Sequence, residues 1–176
     1  MSSHAHQPAQ FVDVFLQPGE FYFGGRETRI RTVLGSCVAI TMWHPRLQVG
    51  GMCHYLLAES RGRGKEHGLD GRYAGDAISL FMRELEKNAS RPVDYEVKLF
   101  GGGNQFPDHA GNSRINVSDN NVEVGRKLLK QHGFTLKAEH SGGIGPRNVI
   151  FDVWCGNVWL NHAAGSAEYC PQKPLA

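Results

Sequence analysis

The stretch from Arg29 to Leu57 constrains the fold more than any other. It reads RIRTVL, GS, CVAITMW, HPRL, QVGGMCHYLL: three apolar, partly β-branched segments parted by a Gly-Ser bend and a Pro-containing turn. Segments this short and close satisfy their backbone hydrogen bonds most readily as strands. Arg29–Leu34 alternates and predicts a strand. Cys37–Trp43 is apolar nearly throughout, which fits a strand or a short buried helix. Gln48–Leu57 predicts the next strand, with Gly50–Gly51 marking a bulge or a close backbone approach.

The rest of the chain alternates between the two periods. Phe11–Leu16 predicts an earlier strand, ended by a turn at Pro18–Gly19. Over Tyr73–Lys87, residues Ala74, Ala77, Ile78, Phe81 and Leu85 recur at helical spacing. Val93–Phe100 predicts a strand, ended by Gly101–Gly103. Residues 104–120 are polar and read as a long loop. A second helix runs from a cap at Asp119 or Asn120 through Gln131, with Val122, Val124, Leu128 and Leu129 as its apolar face and Gly133 as its C-cap. Strands follow at Thr135–Glu139, Asn148–Cys155 and Asn157–Leu160, with a hairpin turn at Gly156–Asn157. The order strands, helix, strand, helix, strands predicts one α+β domain over residues 11–163. Residues 1–10 read as a flexible leader, 164–176 as a loose tail, and the glycine-rich, charged stretch Glu59–Gly71 as a mobile surface loop.

Composition narrows the function classes. A chain of 176 residues can bury a core without disulfide or metal staples. A net charge of +2 is too small to argue for nucleic acid. The short basic stretch at Arg61, Arg63 and Lys65 reads as a solvated loop, or as a steering patch for acidic partners. No apolar run approaches the ~20 residues of a membrane span. The N-terminus, MSSHAHQPAQ, lacks a basic region followed by an apolar stretch. The expectation is a chain without a cleaved leader that stays in the cytoplasm. Its four cysteines, Cys37, Cys53, Cys155 and Cys170, form no CxxC pair and are expected to be free thiols.

Chemistry is concentrated in TVLGSC. A strand runs into Gly35, and the bend sets Cys37 just past it. A helix starting at Cys37, or successive backbone N–H groups converging there beside Gly35 and Ser36, would stabilise a thiolate and hold an oxyanion. On these residues alone, a small buried cysteine on a core strand is the commoner arrangement. His54 ends a strand that can run beside the first and would suit a Cys–His pair; it can equally be a core histidine. Thr32 could orient the imidazole through its hydroxyl, or be a strand threonine chosen for β-propensity. Gly101–Gly103 lacks the lysine and serine of a phosphate loop and reads as a turn. GGIGPRN at 142–148 leads into a strand, against dinucleotide binding. His109, His140, His162 and Cys155 show no metal-ligand spacing.

The segments TVLGSCVAI, GGMCHYLL, YAGDAISLFMRELEK, VKLFGGG and SGGIGPRNVIF occur in that order between Thr32 and about Leu160. In them the chain resembles the CheD family of chemoreceptor glutamine deamidases, some of which also hydrolyse receptor methyl esters. The resemblance implies two packed mixed β-sheets flanked by helices, as in deamidating bacterial toxins. It implies a Cys–His–Thr triad that falls on Cys37 of LGSC, His54 of GGMCH and Thr32, with Ser36 and Gly35 beside the oxyanion. It implies no cofactor, methyl-accepting chemotaxis receptors as substrate, and a CheC-type phosphatase among the partners. Cys53, next to His54, is expected to put a second thiol near the site, as tolerated packing or, in the alternative, as a partner for oxidation with Cys37.

Overall fold

The structure, a computed structural model, describes residues 7–59, 68–104 and 117–163. Residues 1–6 of the leader, Arg61, Arg63, Lys65 and the rest of 60–67, most of the 104–120 loop with His109, and the tail with Cys170 lie outside the described residues.

In chain order the elements are β1 (Val12–Phe15), β2 (Phe21–Gly24), β3 (Thr28–Leu34), β4 (Val38–His44), β5 (Val49–Tyr55), α1 (Ala74–Lys87), β6 (Glu96–Gly101), α2 (Val117–Gln131), β7 (Leu136–Ser141), β8 (Arg147–Asp152) and β9 (Asn157–His162). The strands form two sheets, ordered β1-β3-β8-β9 and β2-β5-β4-β6-β7. The β1–β3 and β6–β7 pairs are parallel and the others antiparallel. This is the expected α+β arrangement of two mixed sheets.

Period-two alternation sorts the side chains into two cores. Ile30 and Leu34 of β3, with Val149, Phe151 and Val158, meet Ala39, Met52 and Phe100 between the sheets. On the other face of the second sheet, Val38, Ile40, Cys53, Tyr55 and Leu99 meet Ala77, Ile78, Phe81 and Leu85 of α1 and Val122 and Leu129 of α2. Both helices thus pack on the second sheet. Strands β4 and β5 are buried on both faces. Burial on both faces removes the polar half of the alternation, which is why CVAITMW left strand and helix unresolved.

Several boundaries differ from the sequence expectation. Strand β2 was not anticipated: it is four half-buried residues, FYFG, too short for alternation to register. Strand β6 begins at Glu96 because Pro92–Asp94 forms a 3-10 turn in which the Asp94 carboxylate accepts the Arg91 N–H at 2.9 Å. Helix α2 begins at Val117, and its buried face includes Ser118, Asn121 and Gly125. The Tyr55 hydroxyl, bonded to the Asn121 carbonyl at 2.7 Å, presses on Gly125 and leaves no room for a side chain there. Polar and small residues on this face hid it from an apolar count. Strand β8 ends at Asp152, which pairs with Asn157, so the hairpin turn is 153–156 and not Gly156–Asn157.

Gly50 and Gly51 mark close approach and no bulge, since β5 keeps its register with β4 and β2. A Cβ at Gly50 would stand 2.6 Å from the Met42 carbonyl, and one at Gly51 2.5 Å from that of Tyr22. Gly51→Ala is therefore expected to destabilise the fold by about 1–3 kcal/mol through overpacking. A urea midpoint unchanged from native would contradict this register.

Candidate active site

The chain crosses between the sheets three times at the same end of the sandwich, through residues 16–20 from β1 to β2, residues 35–37 from β3 to β4 and residues 142–146 from β7 to β8. Cys37, His54 and Thr32 all lie there. The second crossing is braced by the triple-glycine turn after β6. The Gly103 N–H donates to the Gly35 carbonyl at 3.0 Å and the Gly102 N–H to the Cys37 carbonyl at 2.9 Å. Gly101, at φ +119, lies so close to the Cys37 carbonyl that any side chain would collide with it. This close approach explains a glycine run that the sequence offered only as a turn.

Cys37 is half-buried and packs against the core between the sheets. Burial pushes its thiol above the ordinary range; hydrogen bonds to the sulfur from the Ser36 side chain and the Cys37 backbone pull the other way and do not overcome it. In the β4–β5 ladder His54 is the register partner of Ala39. Cys37, just before β4, packs in the same core between the sheets as Ala39, which puts it on the face that His54 occupies.

His54 is 1% exposed, and its ring is held by Thr32. The Thr32 hydroxyl donates to the Leu16 carbonyl at 2.9 Å and stands 2.7 Å from Nδ1 of His54. A carbonyl only accepts, so the single hydroxyl proton goes to Leu16 and Nδ1–H donates to Thr32. The tautomer follows: Nε2 carries the lone pair. Nε2 is buried and has no hydrogen-bond partner among the described residues. Burial pushes the imidazole down to about 4, with the Glu20 carboxylate pulling weakly the other way. Backbone bonds fix the histidine further, from Gly19 N–H to the His54 carbonyl at 2.7 Å and from His54 N–H to the Glu20 carbonyl at 3.1 Å. The arrangement is a neutral thiol beside a neutral imidazole whose free nitrogen is a base and whose other nitrogen is anchored.

The remaining candidates are dispersed. Cys53 is fully buried on the opposite face of the second sheet, in the helix-side core, and burial pushes its thiol up to about 12. The pleat therefore separates it from Cys37, correcting the expectation of a second thiol near the site. Cys155 lies in the turn between β8 and β9, at the far end of the sandwich. The His140 and His162 rings meet at 5.1 Å beside the 142–145 loop. The Leu16 carbonyl and the residue 19–20 backbone were missed by the sequence reading, because main-chain groups carry no residue-type signal.

The neutral histidine has a consequence for stability. Its folded pKa lies below the ordinary 6.5, so below pH 6.5 the unfolded chain takes a proton that the fold refuses. Stability from this group is intact above pH 6.5 and falls by about 3 kcal/mol as the pH drops to about 4. Urea denaturation of native protein and His54→Gln at pH 7 and pH 4.5 checks this. The native protein should lose more, and equal losses would show that His54 is not held neutral.

The family model for CheD, chemotactic sensory transduction, matches residues 56–162. A probable chemoreceptor glutamine deamidase of Dechloromonas aromatica is 46% identical over 90% of this chain and 92% of its own. One from Pseudomonas savastanoi pv. phaseolicola is 48% identical over 88% and 87%. One from Leptospira interrogans is 34% identical over 88% and 95%. The family model covers both glycine motifs, the relatives extend across nine-tenths of the chain, and together they place the chain in the CheD family.

Proposed function

We propose that the protein deamidates glutamines of methyl-accepting chemotaxis receptors through a thioester on Cys37. The observation that carries this reading is the Thr32–His54 pair, which leaves one buried imidazole nitrogen free on the face that Cys37 shares. The relatives named chemoreceptor glutamine deamidase supply the substrate.

With both groups neutral, His54 takes the thiol proton as the sulfur attacks the glutamine δ-carbon, instead of holding a standing thiolate–imidazolium pair. The carbon becomes tetrahedral, and its oxyanion is held by backbone N–H groups of the Gly35–Cys37 bend. The imidazolium returns the proton to the leaving nitrogen, ammonia departs, and a thioester remains. Water then gives a proton to Nε2 and attacks the thioester, releasing glutamate and the thiol. On a receptor methyl ester the same steps release methanol. No step calls for a cofactor.

The substrate glutamine lies on a helical receptor surface, so the site must be approached from outside. Leu57, Val117 and Ile144, at 43%, 53% and 48% exposure, lie at the Cys37 end and offer an apolar rim for such a surface. A CheC-type phosphatase would be a further partner. The cytoplasm, where the receptor glutamines are, is the compartment this reading requires; among the described residues no helix is long and apolar enough to cross a membrane.

Thr32→Val keeps the shape and removes the hydrogen bond to Nδ1. A bond worth about 1.5–3 kcal/mol predicts a kcat about ten- to a hundredfold lower, with Thr32→Ser close to native; equal activity of Thr32→Val would remove Thr32 from the mechanism. The reading as a whole is tested by incubating a receptor cytoplasmic domain with the protein and a labelled primary amine. Ammonia release matched by new glutamate, without amine incorporation, is expected. Amine incorporation in its place would make the protein an acyl transferase.

A further inference from the structure

Arg147 belongs to the GGIGPRN motif, which the proposed chemistry leaves unused. It is the first residue of β8 and the register partner of Leu34, the last residue of β3 before the Cys37 bend. Its side chain is 1% exposed and closes the end of the core between the sheets, where an aliphatic residue would be the ordinary choice. Burying a guanidinium is costly, and apolar replacements of buried ions are often neutral or stabilising.

The contacts show what the charge holds. Nε donates to Nδ1 of His140 at 3.0 Å, and Nη2 donates to the Gly142 carbonyl. Nη1 is buried without a hydrogen-bond partner among the described residues and stands 3.0 Å from where a Cβ on Gly103 would be. The Gly142 N–H donates to the Gly101 carbonyl at 3.0 Å, and the Asn104 N–H to the Gly143 carbonyl at 2.7 Å. The 101–104 turn in turn holds the carbonyls of Gly35 and Cys37, on both sides of Ser36. An unbroken series of contacts therefore runs from the guanidinium through two glycine turns to the bend that carries the nucleophile. Holding a carbonyl also aims the N–H of the same planar peptide in the opposite direction.

We infer that Arg147 is a positioning residue for the deamidation, its buried guanidinium holding the Gly142–Gly143 and Gly101–Asn104 turns so that the Gly35–Cys37 backbone is set to receive the oxyanion. This rests on the thioester reading above. It predicts a specific split. Thiol reactivity depends on the Cys37 sulfur, which packs in the core between the sheets, and on His54, which β5 and Thr32 hold, whereas the oxyanion depends on the direction of the backbone N–H groups, so substrate binding and thiol reactivity should survive the loss of Arg147 while turnover does not.

The test compares native protein, Arg147→Met and Arg147→Lys by thermal midpoint, by kcat and KM on a receptor cytoplasmic domain, and by the rate of Cys37 alkylation with iodoacetamide, which needs no oxyanion site. Arg147→Met is expected to lose about ten- to a hundredfold in kcat, as misplacement by up to about 1 Å does, with KM and alkylation rate within about twofold of native. Arg147→Lys, which keeps the charge and one donor but not the fork, should fall between and decides the matter if Arg147→Met does not fold. A folded variant with native kcat, or one in which alkylation falls with kcat, overturns the inference. If native protein itself converts no glutamine, the underlying reading fails first and takes this role with it; native conversion with an unaffected Arg147→Met removes the Arg147 role alone.

Discussion

Cys37→Ala is expected to lower receptor deamidation by about ten-thousandfold or more, while the fold and receptor affinity stay near native. The size follows from the role. Without the sulfur no thioester forms, and the remaining groups can only assist direct hydrolysis, as when a triad nucleophile is removed elsewhere. The small effect on stability follows from place. Cys37 is half-buried in a crossing that hydrogen bonds to Gly102 and Gly103 hold through its backbone, so a methyl group fills its position with little loss. Titration of receptor binding and a urea midpoint accompany the rate measurement. A Cys37→Ala protein that still converts glutamine would make the cysteine a core residue.

The second large effect concerns His54 and pH. His54→Gln should lower kcat by about a thousandfold, the middle of the range that a positioned base supplies. In native protein kcat/KM should be flat from about pH 5 to neutrality and fall as the pH drops through about 4, where the buried imidazole takes a proton. The raised Cys37 thiol gives a separate signature. Its alkylation by iodoacetamide should climb about tenfold per pH unit through the neutral range, following the thiolate fraction. A standing thiolate–imidazolium pair would instead give fast alkylation that is level across that range. The two pH profiles together decide between proton transfer during attack and an ion pair formed beforehand.

The fold and the site were legible to different degrees, for physical reasons. Helix α1 was fully readable, since one stripe, Ala74 to Leu85, meets the sheet and the other face meets water. The bounds of β3 and β4 were placed to within a residue or so because Gly35–Ser36 must bend, while β4, buried on both faces, stayed open between strand and helix. Helix α2 was read short and its face wrongly weighted, because Asn121 and Gly125 are buried to accommodate Tyr55, a tertiary requirement with no local signal. At the site, nothing in the single residues Cys37, His54 and Thr32 outweighed ordinary core packing. Their juxtaposition depends on the crossing of the chain between two sheets, which brings β3 of one against β5 of the other. The resemblance to CheD pointed to them as a set. What no pattern offered was the main-chain part: the Leu16 carbonyl that fixes the tautomer through Thr32, and the glycine turns that hold the bend.

Cys37 of this chain is proposed to turn receptor glutamine into glutamate. The most direct test is peptide mass spectrometry of a purified receptor cytoplasmic domain after incubation with native protein or with Cys37→Ala. The account predicts the mass gain of amide-to-acid conversion at particular glutamines with native protein and none with the variant. Conversion by both proteins, or by neither while the receptor is measurably bound, would contradict it.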